Sequence, residues 1–272
     1  MTSKRFRFSI RHLLVLTVVI ATSAALIVSF GNHFLWVSRH VVVQPYPALA
    51  KIDNSVVASD CELSTCNFNG LRFDVPTSMI GTARIVRASS TDIYLGFEDA
   101  TRLLQIPLAP TDMRTAMASA PSNLKNLSTP KLLEMSVSAA SDDFSFAMSQ
   151  DELRIHDWAI KTRNLLNLDA QNMDRYSKIS GDGIDAILIS ANPASIDSSR
   201  RLRSILVWES TDRKNFGSIW FGDSRNAEAR WIDSVAKSVK FVGVERLTPT
   251  ELARLNDAEI LSRLNIPDPQ KK

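Results

Sequence analysis

The sequence predicts an α+β protein in which one N-terminal transmembrane helix precedes a central antiparallel β-sheet packed with helices and a C-terminal helical pair. An uncharged apolar run occupies residues 13–30, several later segments alternate apolar and polar residues, and other segments carry apolar residues at helical spacing. The expected organisation is a cytoplasmic basic tail at 1–12, the anchor at 13–30, a stalk at 31–60, a folded domain at 61–245 and a helical tail at 246–272.

The apolar run at 13–30 is long enough to cross a bilayer. Its 18 residues carry no charge, and as a helix they extend about 27 Å, close to the thickness of the hydrocarbon core. Four basic residues lie within the first 12 positions, whereas the first lysine or arginine after the run is Arg39. Because positive charge favours the cytoplasmic side, we expect a single-pass inner-membrane protein with a cytoplasmic N-terminus and a periplasmic or otherwise extracytoplasmic domain.

A secretory signal peptide is the alternative interpretation of the same run. Residues 13–20 would form its apolar segment, and Ser23, Ala24 and Ala25 would form a small-residue cleavage site. Cleavage there would leave an apolar new N-terminus beginning near Leu26, which is atypical of processed signals, so the sequence favours a retained anchor. Both interpretations place the rest of the chain outside the cytoplasm.

The net positive charge of the chain comes from its N-terminal tail, residues 1–12. Of the 32 basic residues four lie in the first 12 positions, so residues 13–272 carry 28 basic against 29 acidic residues and a net charge of −1. A domain with this balance lacks the basic surface that phosphate backbones require, and nucleic acid is therefore not an expected partner. In the stalk, Pro45 and Pro47 indicate a semi-extended chain.

Cys61 and Cys66 are the only cysteines, in a polar stretch, "DCELSTC", that is expected to be rich in turns. Outside the cytoplasm two such thiols usually pair, so the sequence predicts a Cys61–Cys66 disulfide that fastens a turn. Free thiols remain an alternative. A redox pair would have two residues between its cysteines, and a structural zinc site would have four ligands where two are in view.

Alternation with period two begins after the cysteines. "LRFDVP" places Leu71, Phe73 and Val75 on one face, and "DIYLGF" and "RLLQIPL" repeat the pattern, which predicts sheet strands with one solvated face. Pro107 cannot donate a hydrogen bond to a neighbouring strand. The strand that contains it is therefore expected at an edge or at a bulge.

Residues 110–170 are predicted to be helical. "MSQDELRIHDW" begins with Ser149 as N-cap and Glu152 three residues later, the arrangement of a capping box. Thr129 followed by Pro130 predicts a shorter helix before it. After this region "IDAILIS", "RLRSILVWES" and "FGSIWFGD" predict three more strands, and "NAEARWIDSVAKSVKF" predicts a helix whose apolar stripe belongs to the core.

The order of these elements resembles the PsbP-like fold family. The likeness covers about residues 66–245 and is carried by "GLRFDVP" at the start of a sheet, "SGDGIDAILIS" and "FGSIWF" after a helical segment, and the closing "WIDSVAKSVKF". It departs from the family at Thr77–Met79, where a Gly-Trp pair is common, and in the length of its helical segment. The resemblance implies an extrinsic, mostly non-catalytic domain that binds protein partners on the outer side of a membrane, with no specific ligand.

Two motifs suggest chemistry. "GDGIDA", residues 181–186, matches a dinucleotide-binding pattern, but that loop must open a helix and here β-branched residues follow, so a turn between two strands is expected. His156 lies four residues after Glu152, which puts both side chains on one helix face as a possible base and partner. A metal would need a third ligand, and Glu152 has a capping role, so a structural histidine is expected and no cofactor or metal is predicted.

The tail at 246–272 contains two helix starts eight residues apart. Thr248 with Glu251 and Asn256 with Glu259 each form a capping box, which predicts two short helices. Helices this short need a surface to pack against, either on their own domain or on a partner.

The predicted function is that of a membrane-anchored extracytoplasmic binding or assembly module. It contacts the membrane through residues 13–30 and is expected to have a protein partner, while its small-molecule ligand stays open. The alternative is a membrane-anchored hydrolase that uses His156 with a nearby carboxylate. A concave pocket that contains both groups would favour the hydrolase.

Overall fold

The computed structural model describes residues 10–40, 49–51, 62–68, 70–87, 92–97, 102–107, 111–140, 149–166, 168, 173, 175–181, 183–191, 202–223, 230–243 and 248–266. The chain divides into two compact units, Met1–Pro45 and Tyr46–Lys272. The predicted boundary between stalk and folded domain at residue 61 falls in a segment outside these ranges.

The described residues of the first unit form one helix, α1 (Ile10–His40). Its stretch Leu14–Gly31 is long and apolar enough to cross a membrane, and its side chains are exposed. The helix continues beyond the predicted anchor, and residues 31–40 of the segment assigned to the stalk are helical. The reason is that Gly31 alone does not stop a helix, whereas the first proline stands only at position 45.

The second unit contains two sheets and several helices. The strands are β1 (Ala50–Lys51), β2 (Leu63–Phe68), β3 (Leu71–Pro76), β4 (Arg84–Arg87), β5 (Asp92–Phe97), β6 (Arg102–Pro107), β7 (Arg175–Gly181), β8 (Ile184–Ser190), β9 (Leu202–Ser210), β10 (Phe216–Asp223) and β11 (Lys240–Phe241). The helices are α2 (Thr77–Ile80), α3 (Thr111–Ala118), α4 (Thr129–Ala139), α5 (Gln150–Leu165), α6 (Arg230–Ser238), α7 (Pro249–Arg254) and α8 (Asp257–Arg263), with a 3-10 turn at Ser122–Leu124.

Eight strands form the large sheet, in the order β1-β7-β8-β9-β10-β6-β5-β4. All neighbours are antiparallel except β1 and β7, which are parallel. The α+β class is confirmed, but the sheet is mixed and not wholly antiparallel. The exception is the short strand β1, which is distant in sequence from β7 and pairs with it at the edge of the sheet.

A second, three-stranded sheet has the order β11-β3-β2. "LRFDVP" is a strand as predicted, but it belongs to this small sheet and not to the central one. Its inward side chains Phe73 and Val75 are fully buried, and the strand packs against α6. The stretch around Cys66, predicted to be rich in turns, is strand β2. Alternation identifies a strand, but it does not identify the partner with which the strand pairs.

Pro107 does not lie in an edge strand. β6 pairs with β10 on one side and β5 on the other, so the prediction of an edge position is wrong. The pairing with β10 ends at Gln105 opposite Trp220, two residues before the proline. The missing N–H of Pro107 therefore falls beyond the last paired residue on that side.

The two faces of the large sheet contact different layers. We call the face that packs against the small sheet, α6 and α8 the closed face. Its core contains buried residues from strands β5 to β10, among them Leu95, Leu206 and Phe221. We call the opposite face the helical face, because α4 packs there on β8 and β9. Its core includes Ile187 and Val207.

The predicted helix starts are confirmed. Ser149 caps α5 in a complete capping box: its N–H donates to Glu152 Oε2 at 2.6 Å, and its hydroxyl accepts from the Glu152 N–H at 3.3 Å. α4 begins with Pro130 in its first turn. The N–H of Thr129 at its start donates to Glu209 Oε2 at 2.7 Å, which fixes α4 on the sheet.

The C-terminal tail forms two short helices, α7 and α8, as predicted. Asn256 starts the second in a complete capping box with Glu259. Beyond that start Ile260, Leu261 and Leu264 are buried in the core of the closed face. The tail therefore docks on its own domain.

The "GDGIDA" motif spans the turn between β7 and β8, an antiparallel pair. Gly183 has a φ of 79° there, and a Cβ atom would lie 2.9 Å from the carbonyl oxygen of Phe241. Only glycine fits both demands. The motif therefore forms a turn between two strands, and no helix follows it.

Candidate functional site

Glu152 and His156, the candidate residues of the alternative hydrolase, lie one turn apart on α5 and differ in exposure. Glu152 is exposed at the first turn of α5, where its carboxylate is engaged by the capping box. Hydrogen bonds from the backbone N–H and the hydroxyl of Ser149 lower the pKa of the Glu152 carboxyl. His156 is only 7% exposed, one turn further along the helix. Neither residue lines either of the two clefts described below.

Of the two cysteines, Cys66 lies within the residues that the structure describes. Cys66 has a free thiol, fully buried in the core of the closed face. Burial, with a smaller effect of the Asp74 carboxylate, raises the pKa of this thiol to about 12. Cys61 lies outside the described residues, so the disulfide stays a prediction. Within the described ranges, no three His, Cys, Asp or Glu side chains come close enough to hold a metal ion.

A small polar cavity of about 50 Å³ lies where α4 crosses β7 and β8. Glu134 on α4 accepts from Lys131 and from Lys178, each at 2.8 Å. Desolvation opposes ionisation of this carboxylate, but its hydrogen bonds and ion pairs outweigh that effect and lower the Glu134 pKa. Asp185 also lines this cavity, so its two lysines face two carboxylates and the formal charges balance. A balanced cavity of this small volume has little capacity for a ligand.

A larger cleft, of about 330 Å³, lies on the helical face. It is lined by Val86, Tyr94, Leu103, Gln105, Arg203, Trp220, Phe221 and Gly222. α4 packs on β8 and β9, so the part of this face formed by β10, β6, β5 and β4 lies beyond the strands that α4 contacts. The cleft occupies that part.

Strand register explains the composition of the cleft, because directly opposed residues share a face. One row across five strands contains Arg84, Gly96, Leu103, Gly222 and Arg203. The neighbouring row contains Val86, Tyr94, Gln105, Trp220 and Ile205. We call the nine residues of these rows other than Ile205 the open half of the helical face, because Ile205 is fully buried in the core beneath the helices.

The centre of the open half contains apolar and aromatic side chains, and the first row has an arginine at each end. Leu103, Tyr94 and Trp220 are only partly buried, and Arg84 and Arg203 are exposed. Trp220 packs on one side against the core beneath the helices, and its other side lines the cleft. Neither row contains a carboxylate.

On the closed face the same strands hold a buried charged group instead. Asp223 is fully buried at the end of β10, with Arg102 Nε at 3.3 Å and with the Trp231 Nε1–H donating to Asp223 Oδ2 at 2.9 Å. Paired in this way the carboxylate holds α6 to the end of β10. It is a structural group and is not directed toward the cleft.

The sequence prediction missed the cleft. The relevant signal was present, because Tyr94, Leu103 and Trp220 stand at positions that alternation assigns to the solvated face of their strands. Large apolar side chains at such positions indicate a surface that another group covers. These three side chains lie close together because of the strand order, and alternation within a strand does not predict the strand order.

Comparisons with protein-family models, with curated proteins and with solved structures found no match for this chain. The function is therefore argued from the cleft and the membrane-length helix.

Proposed function

We propose that the protein is a membrane-anchored extracytoplasmic binding or assembly module, and that the open half of the helical face is its binding surface. The observation that carries this proposal is the cleft of about 330 Å³ beyond the strands that α4 contacts. An aromatic and apolar floor with a few polar groups at its margin is typical of binding sites in proteins. The resemblance to the PsbP-like family is consistent with a binding role.

The anchor part of the proposal rests on α1. Residues 13–30 span the inner membrane, the basic tail at 1–12 stays in the cytoplasm, and the domain faces the extracytoplasmic side. Four basic residues before the apolar stretch, and none until Arg39 after it, support this orientation. The binding surface would then act at the outer surface of that membrane.

Topology is tested by labelling a new thiol. Ser262 is exposed on α8, so Ser262→Cys in a Cys61→Ser background should react with a membrane-impermeant maleimide in intact spheroplasts. The parent Cys61→Ser protein is the matched control, because its Cys66 thiol is buried. Reaction of the introduced thiol only after lysis would contradict the extracytoplasmic orientation.

The binding surface is tested by photo-crosslinking in cells that produce the full chain. A photoreactive phenylalanine analogue at position 94 lies in the cleft, and the same analogue at position 154 lies on an exposed turn of α5. We expect a discrete adduct at position 94, visible either as a gel shift or as a small mass increase, and none at position 154. Absence of any adduct specific to position 94 would overturn the proposal.

A further inference from the structure

We infer that the cleft holds an amphipathic anion, a small molecule with a carboxylate or phosphate head and a short apolar body. The inference rests on the proposed function and names the ligand class of the same site. It is carried by the charge, the shape and the volume of the open half.

The head of the ligand is assigned to Arg203. This guanidinium is exposed at the margin of the cleft, and it has no ion-pair partner among the residues that the structure describes. Arg84 stands at the other end of the same row, roughly 19 Å away across five strands at the usual sheet spacing. Among the described residues that line the cleft, Arg203 alone is charged, which favours an anion. A guanidinium pairs with carboxylate or phosphate oxygens through parallel hydrogen bonds.

The apolar body is assigned to the space between the arginines. Gly222 lies next to Arg203 in the row, and a Cβ built there would meet only Leu103 Cβ, at 3.8 Å. The missing side chain leaves a depression between the guanidinium and the Leu103 side chain. Val86, Tyr94 and Trp220 in the adjoining row add aliphatic and aromatic surface. An apolar surface beside one guanidinium matches a ligand that has an alkyl chain or a ring and one charged end.

The volume limits the size of the ligand. About 330 Å³ is at the lower end of the range for small-molecule sites, which is roughly 300–1,000 Å³. A cleft of this volume suits a small amphiphile.

The experiment uses the full chain in lipid nanodiscs and decanoate with a bromine on its terminal carbon. Bromine quenches tryptophan on contact, and Trp158, Trp208 and Trp231 are buried away from the cleft. A Trp36→Phe background removes the tryptophan of α1, and empty nanodiscs correct for partition of the probe. We expect saturable quenching that disappears when Trp220 is also changed to phenylalanine.

Three variants assign the contacts. Arg203→Gln should weaken the affinity for the probe by about fivefold to tenfold, the usual effect of one charge-assisted hydrogen bond at a partly exposed site. Gly222→Val should weaken it at least as much, because it fills the depression, while an unchanged melting temperature shows that the fold is intact. The matched control Arg154→Gln removes an exposed arginine on α5 and should leave affinity unchanged.

The charge and the source of the ligand are tested by separate probes. The bromoalkyl trimethylammonium analogue should not quench saturably, and equal binding of this cation would overturn the inference. Nanodiscs with brominated phosphatidylglycerol or brominated phosphatidylcholine, without free probe, separate a bilayer source from a free one. Quenching by brominated phosphatidylglycerol but not by brominated phosphatidylcholine would mean that the amphipathic anion is a lipid of the bilayer.

The inference and the proposed function can fail independently. If position 94 crosslinks to a protein and no anionic amphiphile quenches Trp220, the ligand class is overturned and the binding module stands. If neither crosslinking nor quenching occurs, both are overturned.

Discussion

The closed face and the helical face of the large sheet are built from the same strands but are covered to different extents. Every strand from β5 to β10 contributes a buried side chain to the core of the closed face, which the small sheet, α6 and α8 cover. On the helical face α4 packs on β8 and β9, and the row from Arg84 to Arg203 has arginines at its ends and two glycines within. A packed layer requires a continuous apolar row, and where the row contains glycine and arginine a cleft results.

The largest expected effect compares adjacent residues of β10 that point to opposite faces. Phe221 is 2% exposed in the closed face, whereas Trp220 is only partly buried beside the cleft. Phe221→Ala should lower the free energy of unfolding by about 3–5 kcal/mol, and Trp220→Ala should cost clearly less because solvent already reaches the ring. Thermal unfolding of the full chain in one detergent compares the two. Equal losses would mean that the open half is packed as firmly as the closed face.

A somewhat smaller effect tests the layer that covers β4 on the closed face. Ile260 of α8 is fully buried in that core, so Ile260→Ala should destabilise the domain by about 2–5 kcal/mol. Ser262 is exposed on the same helix, and Ser262→Ala should change stability by less than about 0.5 kcal/mol. A melting temperature that falls with neither change would mean that α8 leaves the domain in solution and serves a partner.

The smallest effect concerns the covered part of the helical face and depends on pH. Burial raises the pKa of Glu209, an effect partly offset by the Thr129 N–H and by Arg213, while Asp185 adds to it. A carboxyl whose folded-state pKa is raised contributes stability that is complete below its unfolded value and is lost as the pH rises through the folded value. Glu209→Gln keeps an oxygen acceptor for the Thr129 N–H and does not titrate.

The difference in melting temperature between wild type and Glu209→Gln should therefore shift in favour of the variant as the pH rises from 4 to 7. Melting curves at four pH values within that interval measure it. An opposite trend would mean that the hydrogen bond and Arg213 stabilise the ionised carboxylate more than burial disfavours it.

Local features of the fold could be predicted from the sequence, and features that depend on pairing could not. The capping boxes at Ser149 and Asn256 involve residues three apart, so the chain alone determines them. For the strand containing Pro107 the sequence predicts an edge or a bulge, but the strand is internal. The sequence could not show this because the neighbour β10 lies more than 100 residues away. The open half forms because this one pairing joins the strands β4 to β6 to the strands β9 and β10, and because α4 packs on β8 and β9. No single segment contains that information.

The buried thiol of Cys66 makes the chain a reporter of its own unfolding. With a pKa of about 12 only about one molecule in 10⁵ carries a thiolate at pH 7, and no reagent reaches the sulfur while the small sheet is intact. In a Cys61→Ser chain this is the only thiol. Its rate of alkylation then measures how often β2 and β3 separate from the rest of the domain, in membranes and without purification.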